Sequence, residues 1–288
     1  MLERWARPWA RLWNGTAGVM DAIYRRLGRP GKLLQDLLNG SWLGHSLHPV
    51  VVDVVVGGST AAVLLQVLSW LGVGDLRVAI LWVLALTWLA GLSAIVSGLT
   101  DFKDTATGDE RHVVGLHGLI NILATTVLIG AFLGLLADAD LLAGVLIVAG
   151  FAILSVGAFI GGHIVFKYGY MVNHNAFSGG KKAKEYAAIL PEADLAEATP
   201  TKAMLGPTAL VLVRRGDLVF ALKETCSHAG GPLSQGTLDG YTVICPWHGS
   251  AFRLSDGAVR HGPAATRQVA YRARINGDQV EVQGPVIG

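Results

Sequence analysis

Four apolar stretches, at 50–71, 76–99, 113–136 and 141–165, constrain this chain more than any other feature. Each is long enough to cross a hydrocarbon layer, which takes about 20 residues of helix. The first two are separated only by Gly72-Val73-Gly74-Asp75 and the last two by Ala137-Asp138-Ala139-Asp140. Linkers that short make two helical hairpins, and together a four-helix bundle. Glycines inside the stretches (Gly57-Gly58, Gly91, Gly157, Gly161-Gly162) let membrane helices approach closely. A bundle in water would need a regular polar face on each helix, which these segments lack. The composition agrees: 52% of residues are hydrophobic and 15% charged. A net charge of +2 gives no sign of a nucleic-acid partner.

Residues 1–44 form a basic, tryptophan-rich segment. Arg4, Arg7, Arg11 and Asp21 interrupt the apolar core that a signal peptide needs. Trp5, Trp9 and Trp13 fall at helical spacing and would share one face, which suits a helix lying in the membrane interface. A core-packed or poorly ordered N-terminus is the other reading. An even number of crossings puts both ends of the bundle on one side, and the basic residues gather there. Arg4, Arg7, Arg11, Arg25, Arg26, Arg29 and Lys32 precede the first stretch, Lys103 and Arg111 lie in the middle loop, and Lys167, Lys181, Lys182 and Lys184 follow the last. Arg77 is the basic residue of the opposite side. By the positive-inside rule, both termini face the cytoplasm.

After the membrane domain, 45–173, residues 174–199 turn polar (Gly179-Gly180-Lys181-Lys182, later Pro191) and are expected to form a linker with one short helix. It would serve either as a hinge or as packing for the membrane domain. From 200 to 288 the periodicity changes to short β-prone runs at 209–213, 218–222, 242–245, 269–273 and 279–282. Turn signals such as Arg215-Gly216-Asp217 and Asn276-Gly277-Asp278 separate them. The fold class expected is therefore multidomain: an α-helical four-span bundle followed by a small all-β domain.

Within the β-domain stand Cys226-Ser227-His228 and, sixteen residues on, Cys245-Pro246-Trp247-His248. Two thiolates suit one iron and two imidazoles the other, the division of a Rieske [2Fe–2S] cluster. A zinc finger pairs Cys with Cys and His with His at characteristic spacings, and here each Cys stands beside a His instead. Glycine and proline close both loops (Gly230-Gly231-Pro232, Pro246, Gly249), letting backbone amides face the sulfurs. Both cysteines of the chain are in this motif, so none remains for a disulfide.

Residues from about 200 to 283 resemble Rieske ferredoxins and the Rieske domains of oxygenase systems. The resemblance is carried by Cys226-Ser227-His228-Ala229-Gly230-Gly231-Pro232, Cys245-Pro246-Trp247-His248-Gly249-Ser250 and Gly262-Pro263-Ala264. It implies two cluster loops with Cys226, His228, Cys245 and His248 as ligands, and a proline-bearing loop at Pro263 covering the cluster. The quinol-oxidising, cytochrome bc-type branch adds a cysteine to each loop, where this chain has Gly231 and Trp247. Ser250 matches that branch's cluster-bonding serine, whereas Phe252 stands in place of its tyrosine. Both departures imply a potential in the lower part of the Rieske range, which spans about −150 to +300 mV.

Of nine histidines, six (His45, His48, His112, His117, His163, His174) are expected in or beside the membrane domain, at its cytoplasmic end. His48 opens the first helix ahead of Pro49, His117 lies between Gly115 and Gly118, and His163 follows Gly161-Gly162; such glycines would leave room for a flat macrocycle, so two of the three are candidate axial ligands of a haem b. A quinone or proton site, or a structural network with Asp53, Asn121, Asp101 or Asp104, are the other readings. The acidic middle loop (Asp101, Asp104, Asp109, Glu110) is expected to be solvated and to counter nearby arginines, with divalent-metal binding as the other reading. Residues 45–175 also resemble a four-helix membrane domain family of unknown function, found alone or fused to Rieske domains. His48-Pro49, Gly98-Leu99-Thr100-Asp101, Gly115-Leu116-His117 and Gly161-Gly162-His163 carry that match.

The expected function is a membrane-anchored electron-transfer protein, exchanging single electrons with an unknown donor and acceptor at the cytoplasmic surface. A quinol- or haem-linked oxidoreductase, whose membrane domain feeds the cluster, is one alternative, and a redox sensor or scaffold is another. An oxygenase is disfavoured because the sequence offers no further domain with a 2-His-1-carboxylate iron site.

Overall fold

The computed structural model describes residues 2–176 and 183–287. The chain forms two compact units: Met1–Gly31 with Ser46–Tyr168, and Lys32–His45 with Gly169–Gly288.

The first unit is helical. After a short α1 (Leu2–Ala6), α2 spans Ala10–Asn39, broken at Gly28 by a left-handed φ of 57° just before Pro30. Four long helices follow: α3 (Leu47–Trp70), α4 (Arg77–Lys103), α5 (Asp109–Leu136) and α6 (Asp140–Tyr168). All four are long and apolar enough to cross a membrane. They pack α3 on α4, α4 on α5, α5 on α6 and α6 on α3, closing the expected bundle. Ile80, Leu84, Leu128 and Ile147 form an apolar core, but the outer surface is apolar too and the interior admits some polar side chains. Ser59, Gln66, Thr87, Ser97 and Thr125 are buried between helices, while Leu64, Trp82, Leu86, Leu141 and Phe159 face outward. In hydrocarbon that arrangement is stable, because polar groups find partners inside and the apolar surface meets lipid. The sole basic residue of the α3–α4 turn region, Arg77, bonds Asp138 and Asp140 across the bundle end.

Glycines mark the helix crossings. A Cβ on Gly91 would lie 2.9 Å from Thr125 Cγ2, one on Gly157 2.6 Å from the Asn121 amide, and one on Gly144 2.5 Å from the Trp70 ring. Gly58 abuts Thr87 in the same way, whereas Gly57 faces open space.

The N-terminal tryptophans do not share one face. A 3-10 turn at Arg7–Trp9, containing Pro8, shifts the helical phase between α1 and α2. Trp13 is consequently buried, its ring filling the space that Gly115 leaves, and its Nε1 donates to Ala6 O at 3.3 Å. Trp5 and Trp9 stay exposed. Arg7 forks onto both Asp109 oxygens at 2.8 and 2.7 Å, so the acidic middle loop does counter an arginine.

The second unit is the β-domain. Among the described residues its strands are β1 (Ala183–Pro191), β2 (Thr201–Leu205), β3 (Thr208–Arg215), β4 (Leu218–Lys223), β5 (Thr237–Asp239), β6 (Thr242–Ile244), β7 (Ala251–Arg253), β8 (Val259–His261), β9 (Ala270–Asn276) and β10 (Gln279–Ile287). They form an antiparallel sheet in the order β1-β10-β9-β4-β3-β2 and a smaller one in the order β5-β6-β7-β8. Val211, Val213, Leu222, Leu233, Val243, Phe252 and Leu254 pack into one core beneath the smaller sheet's loops. Phe252, fully buried there on β7, serves that core.

The structure divides the chain differently from the expected boundaries. The stretch 174–199 is not a free linker: Ala183–Pro191 pairs with β10 as an edge strand, and the short helix there is a 3-10 turn at Glu192–Asp194. Gly179-Gly180-Lys181-Lys182 lie outside the described residues. The segment 1–44 is likewise shared, its last part, Lys32–His45, belonging to the β unit.

Valine at 91 would overpack the α4–α5 crossing. Gly91→Val is expected to destabilise the full chain by about 1–3 kcal/mol, read as a lower unfolding temperature in detergent. Gly57→Ala, facing open space, should remain within about 0.5 kcal/mol of the parent.

Candidate metal centre

The smaller sheet presents three loops at one end: one from β4 to β5, one from β6 to β7 and one from β8 to β9. The first carries Cys226 and His228 and the second Cys245 and His248, closed by the same pair of hydrogen bonds. In the first, Cys226 N–H donates to Gly231 O at 2.9 Å and Gly230 N–H returns to Cys226 O at 3.0 Å. In the second, Cys245 N–H donates to Ser250 O at 2.8 Å and Gly249 N–H returns to Cys245 O at 3.1 Å. Each cysteine thus has a glycine four residues on, at φ 80° in Gly230 and 78° in Gly249, where a side chain would strain the turn.

This folding places the four candidate ligands in two pairs. Both sulfurs are buried and adjacent. Backbone N–H groups of His228 and Ala229 bond the Cys226 sulfur, and those of Trp247 and His248 bond the Cys245 sulfur. A hydrogen bond shared between the thiols, then burial, pushes Cys226 up. The same bond, with the Trp247 and His248 amides, brings Cys245 down to about 7. The imidazoles of His228 and His248 are also adjacent, with centroids 5.1 Å apart and planes at 90°. A Cβ on Gly231 would sit 2.8 Å from Cys245 Sγ and 3.1 Å from the Trp247 ring, so only glycine lets the two loops meet. Sulfur paired with sulfur and imidazole with imidazole, under inward-facing amides, is a donor set that could hold two irons with different ligands. Ser250 is fully buried, and its Oγ accepts from Ala264 N–H at 3.0 Å. Pro263 lies in the third loop, as expected.

Gln268 was not singled out in the sequence, yet it organises the first loop. Fully buried, it accepts from Ser227 N–H at 3.1 Å and from Asn175 Nδ2 at 3.0 Å. Its own Nε2 donates to Lys223 O and Thr225 O, both at 2.6 Å. Its only sequence signal is a polar residue next to the β-prone run at 269–273. His174, expected beside the membrane domain, donates its backbone N–H to Ser227 O at 3.1 Å and so contacts the first loop within the β unit. Lys223, at the root of this loop, is held below its ordinary range by burial.

The membrane histidines separate. His48 and His117 come together with centroids 6.4 Å apart, each Nδ1 bonded to a backbone carbonyl at 2.9 Å (Ala94 O and Gly157 O). His163 stands apart from them, against Tyr168 and 4.0 Å from Glu3 Oε1. Of the glycines expected to make room for a macrocycle, Gly115 takes the Trp13 ring, Gly161 faces the His117 ring and Gly118 faces open space. A Cβ on Gly98 would lie 2.9 Å from His48 Cε1, and one on Gly161 3.0 Å from His117 Cε1.

A family model described as a Rieske [2Fe-2S] domain matches residues 185–273, and one described as a predicted membrane protein, DUF2231, matches residues 44–174. Over 80 residues the chain is 34% identical to Ferredoxin CarAc of Metapseudomonas resinovorans, covering 28% of this chain and 75% of that protein. Over 89 residues it is 32% identical to the anthranilate 1,2-dioxygenase ferredoxin subunit of Burkholderia cepacia, covering 31% and 82%. It also matches Apoptosis-inducing factor 3 of Homo sapiens at 31% over 97 residues, 34% of this chain but only 16% of that much longer protein. The chain therefore belongs to the Rieske [2Fe-2S] family, whose fold implies a [2Fe–2S] cluster. Here that domain is fused to a DUF2231 membrane domain, and the Rieske match begins at 185, on the strand that the sequence had suggested was linker.

Gln268→Leu should strand the Ser227 N–H and remove the side-chain donor to Lys223 O, while the Asn175 amide and Thr225 O keep their bond to each other, each lost partner costing about 1–3 kcal/mol. The expected result is a sharply reduced iron content in the purified full chain with the helical signal retained. Iron equal to that of the parent would contradict this role.

Proposed function

We propose that the protein is a membrane-anchored electron carrier in which Cys226 and Cys245 hold one iron of a [2Fe–2S] cluster and His228 and His248 the other. The observation that carries this reading is the matched pair of loops: two buried sulfurs under four backbone N–H donors, beside two imidazoles meeting edge to face. Such a cluster supplies one-electron redox chemistry. The chain's own residues do the rest. The amides of His228, Ala229, Trp247 and His248 favour extra negative charge on the sulfurs, and the apolar core beneath excludes water. The Trp247 ring, exposed and 6.3 Å from the His248 ring, offers a surface beside the imidazoles against which a redox partner can dock. Relatives named as ferredoxin components of dioxygenases support a partner of the reductase or oxygenase class.

In this reading the basic residues around α1, α2 and the α4–α5 and α6 ends put the Rieske domain on the cytoplasmic side. Exposed Trp5, Trp9 and Leu12 support an N-terminal helix resting in the lipid interface. A [2Fe–2S] spectrum in the detergent-purified chain, with two irons per chain and bleaching on dithionite, is the expected result. Cys226→Ser should abolish it. A colourless protein, or one binding zinc, would refute the proposal.

A second reading, a haem- or quinol-linked oxidoreductase, is favoured by the His48–His117 pair. Nδ1 bonded to a carbonyl is how ligating imidazoles are usually oriented. It predicts reduced haem bands in a pyridine haemochrome assay that persist in Cys226→Ser and vanish in His117→Ala. Their absence from membranes of cells supplied with haem contradicts the haem form of this reading.

A further inference from the structure

The β unit includes Lys32–His45, the end of α2 and the turn after it, which lies outside the 185–273 Rieske match. This segment grips the third loop. Asp36 Oδ1 accepts from His261 Nδ1 at 2.8 Å and from Gly262 N–H at 2.7 Å. Both bonds end on a carboxylate and the pair is about three-quarters buried, the setting in which such bonds are strong. One turn further along α2, fully buried Asn39 fills the space beside Gly262. A Cβ at 262 would lie 2.8 Å from Asn39 Nδ2, so the glycine of Gly262-Pro263-Ala264 is required by the helix above it.

From this contact a short chain of bonds leads to the candidate ligands. Two residues beyond Gly262, Ala264 N–H donates to Ser250 Oγ at 3.0 Å, and Ser250 O accepts from Cys245 N–H at 2.8 Å. With an oxygen lone pair committed to Ala264, the Ser250 hydroxyl is held in place and its proton is left to donate toward the cluster. Donors to cluster sulfurs favour the reduced, more negative state and raise the potential.

We propose that Asp36 is a positioning residue for the cluster: by fixing His261 and Gly262 it holds the third loop on Ser250, and so keeps the potential higher than the Rieske domain alone would set it. The inference rests on the reading that Cys226, His228, Cys245 and His248 hold the cluster. It makes a helix outside the Rieske domain part of the control of that domain's potential.

The test is a redox titration of the detergent-purified full chain, followed by the paramagnetic signal of the reduced cluster, for the parent, Asp36→Ala, Asp36→Asn, Ser250→Ala and the Asp36→Ala/Ser250→Ala double variant. Asp36→Ala should lower the midpoint potential by a tenfold change in the oxidised-to-reduced ratio, about 59 mV for one electron. Ser250→Ala should lower it at least as far, and the double variant should match Ser250→Ala, because both substitutions break one chain of contacts. Asp36→Asn retains an acceptor oxygen and should stay near the parent. Should Asp36→Ala fail to retain the cluster, His261→Ala, which removes one of the two bonds, should give a smaller lowering that also disappears in the Ser250→Ala background.

An unchanged potential in Asp36→Ala overturns the proposal, even if the unfolding temperature falls, since the contact would then only add stability. Full additivity with Ser250→Ala overturns it too. A rise in both Asp36→Ala and Asp36→Asn would assign the effect to the charge of Asp36 and not to its grip. Absence of a Rieske signal in the parent removes the cluster assignment along with this inference, whereas a normal signal indifferent to Asp36 removes this inference alone.

Discussion

The bonds from Cys226 N–H to Gly231 O and from Cys245 N–H to Ser250 O close two loops that bury both sulfurs and the His228 imidazole while leaving His248 half-buried. Much of the β unit serves that arrangement. The core of Val243, Phe252 and Leu254 lies beneath the loops, and glycines at 230, 231 and 249 allow the tight turns and the close approach of one loop to the other. Gln268 and Asn175 satisfy the buried polar groups that the first loop leaves over. A buried N–H or C=O without a partner would cost more than an ordinary hydrogen bond contributes, which is why such networks must be complete.

The helical unit solves the opposite problem. Its outward side is largely apolar, its crossings are set by glycines, and polar groups turned inward bond helix backbones or each other. Ser97, Thr87 and Thr100 bond carbonyls of their own helices, Tyr24 reaches Thr100 at 2.6 Å, and Ser46 donates to Asp101 at 2.9 Å. Serine and threonine are tolerated in segments with so little charge because their hydroxyls bond carbonyls one turn back, outward-facing Thr60, Ser93, Thr126 and Ser155 included.

The sequence made much of this legible. Apolar length and very short linkers are strong signals, so the four helices stand within a few residues of expectation. Cys-x-His and Cys-x-x-His carry their chemistry in their spacing, and the structure brings the two cysteines together and the two histidines together. What escaped depended on tertiary contact. The strand at 183–191 has no strong β pattern and exists because β10 offers it an edge. The bond from His174 N–H to Ser227 O, which ties the membrane boundary's last histidine to the first cluster loop, has no local signature either. Trp13 left the face of Trp5 and Trp9 because Pro8 shifts the helix, and its ring fills the space at Gly115, while Gly98 and Gly161 of neighbouring helices accommodate the His48 and His117 imidazoles. Gln268, Asp36 and Asn39 have no local signature at all, since each acts on residues distant in sequence.

The central claim is the division of ligands, two sulfurs on one iron and two imidazoles on the other. The most direct measurement is electron–nuclear double resonance on the dithionite-reduced full chain, labelled with nitrogen-15 only in histidine. The account predicts strong coupling to two histidine nitrogens, with one lost in His228→Cys and the other in His248→Cys. A reduced cluster without histidine coupling, or one whose coupling survives both substitutions, would contradict it.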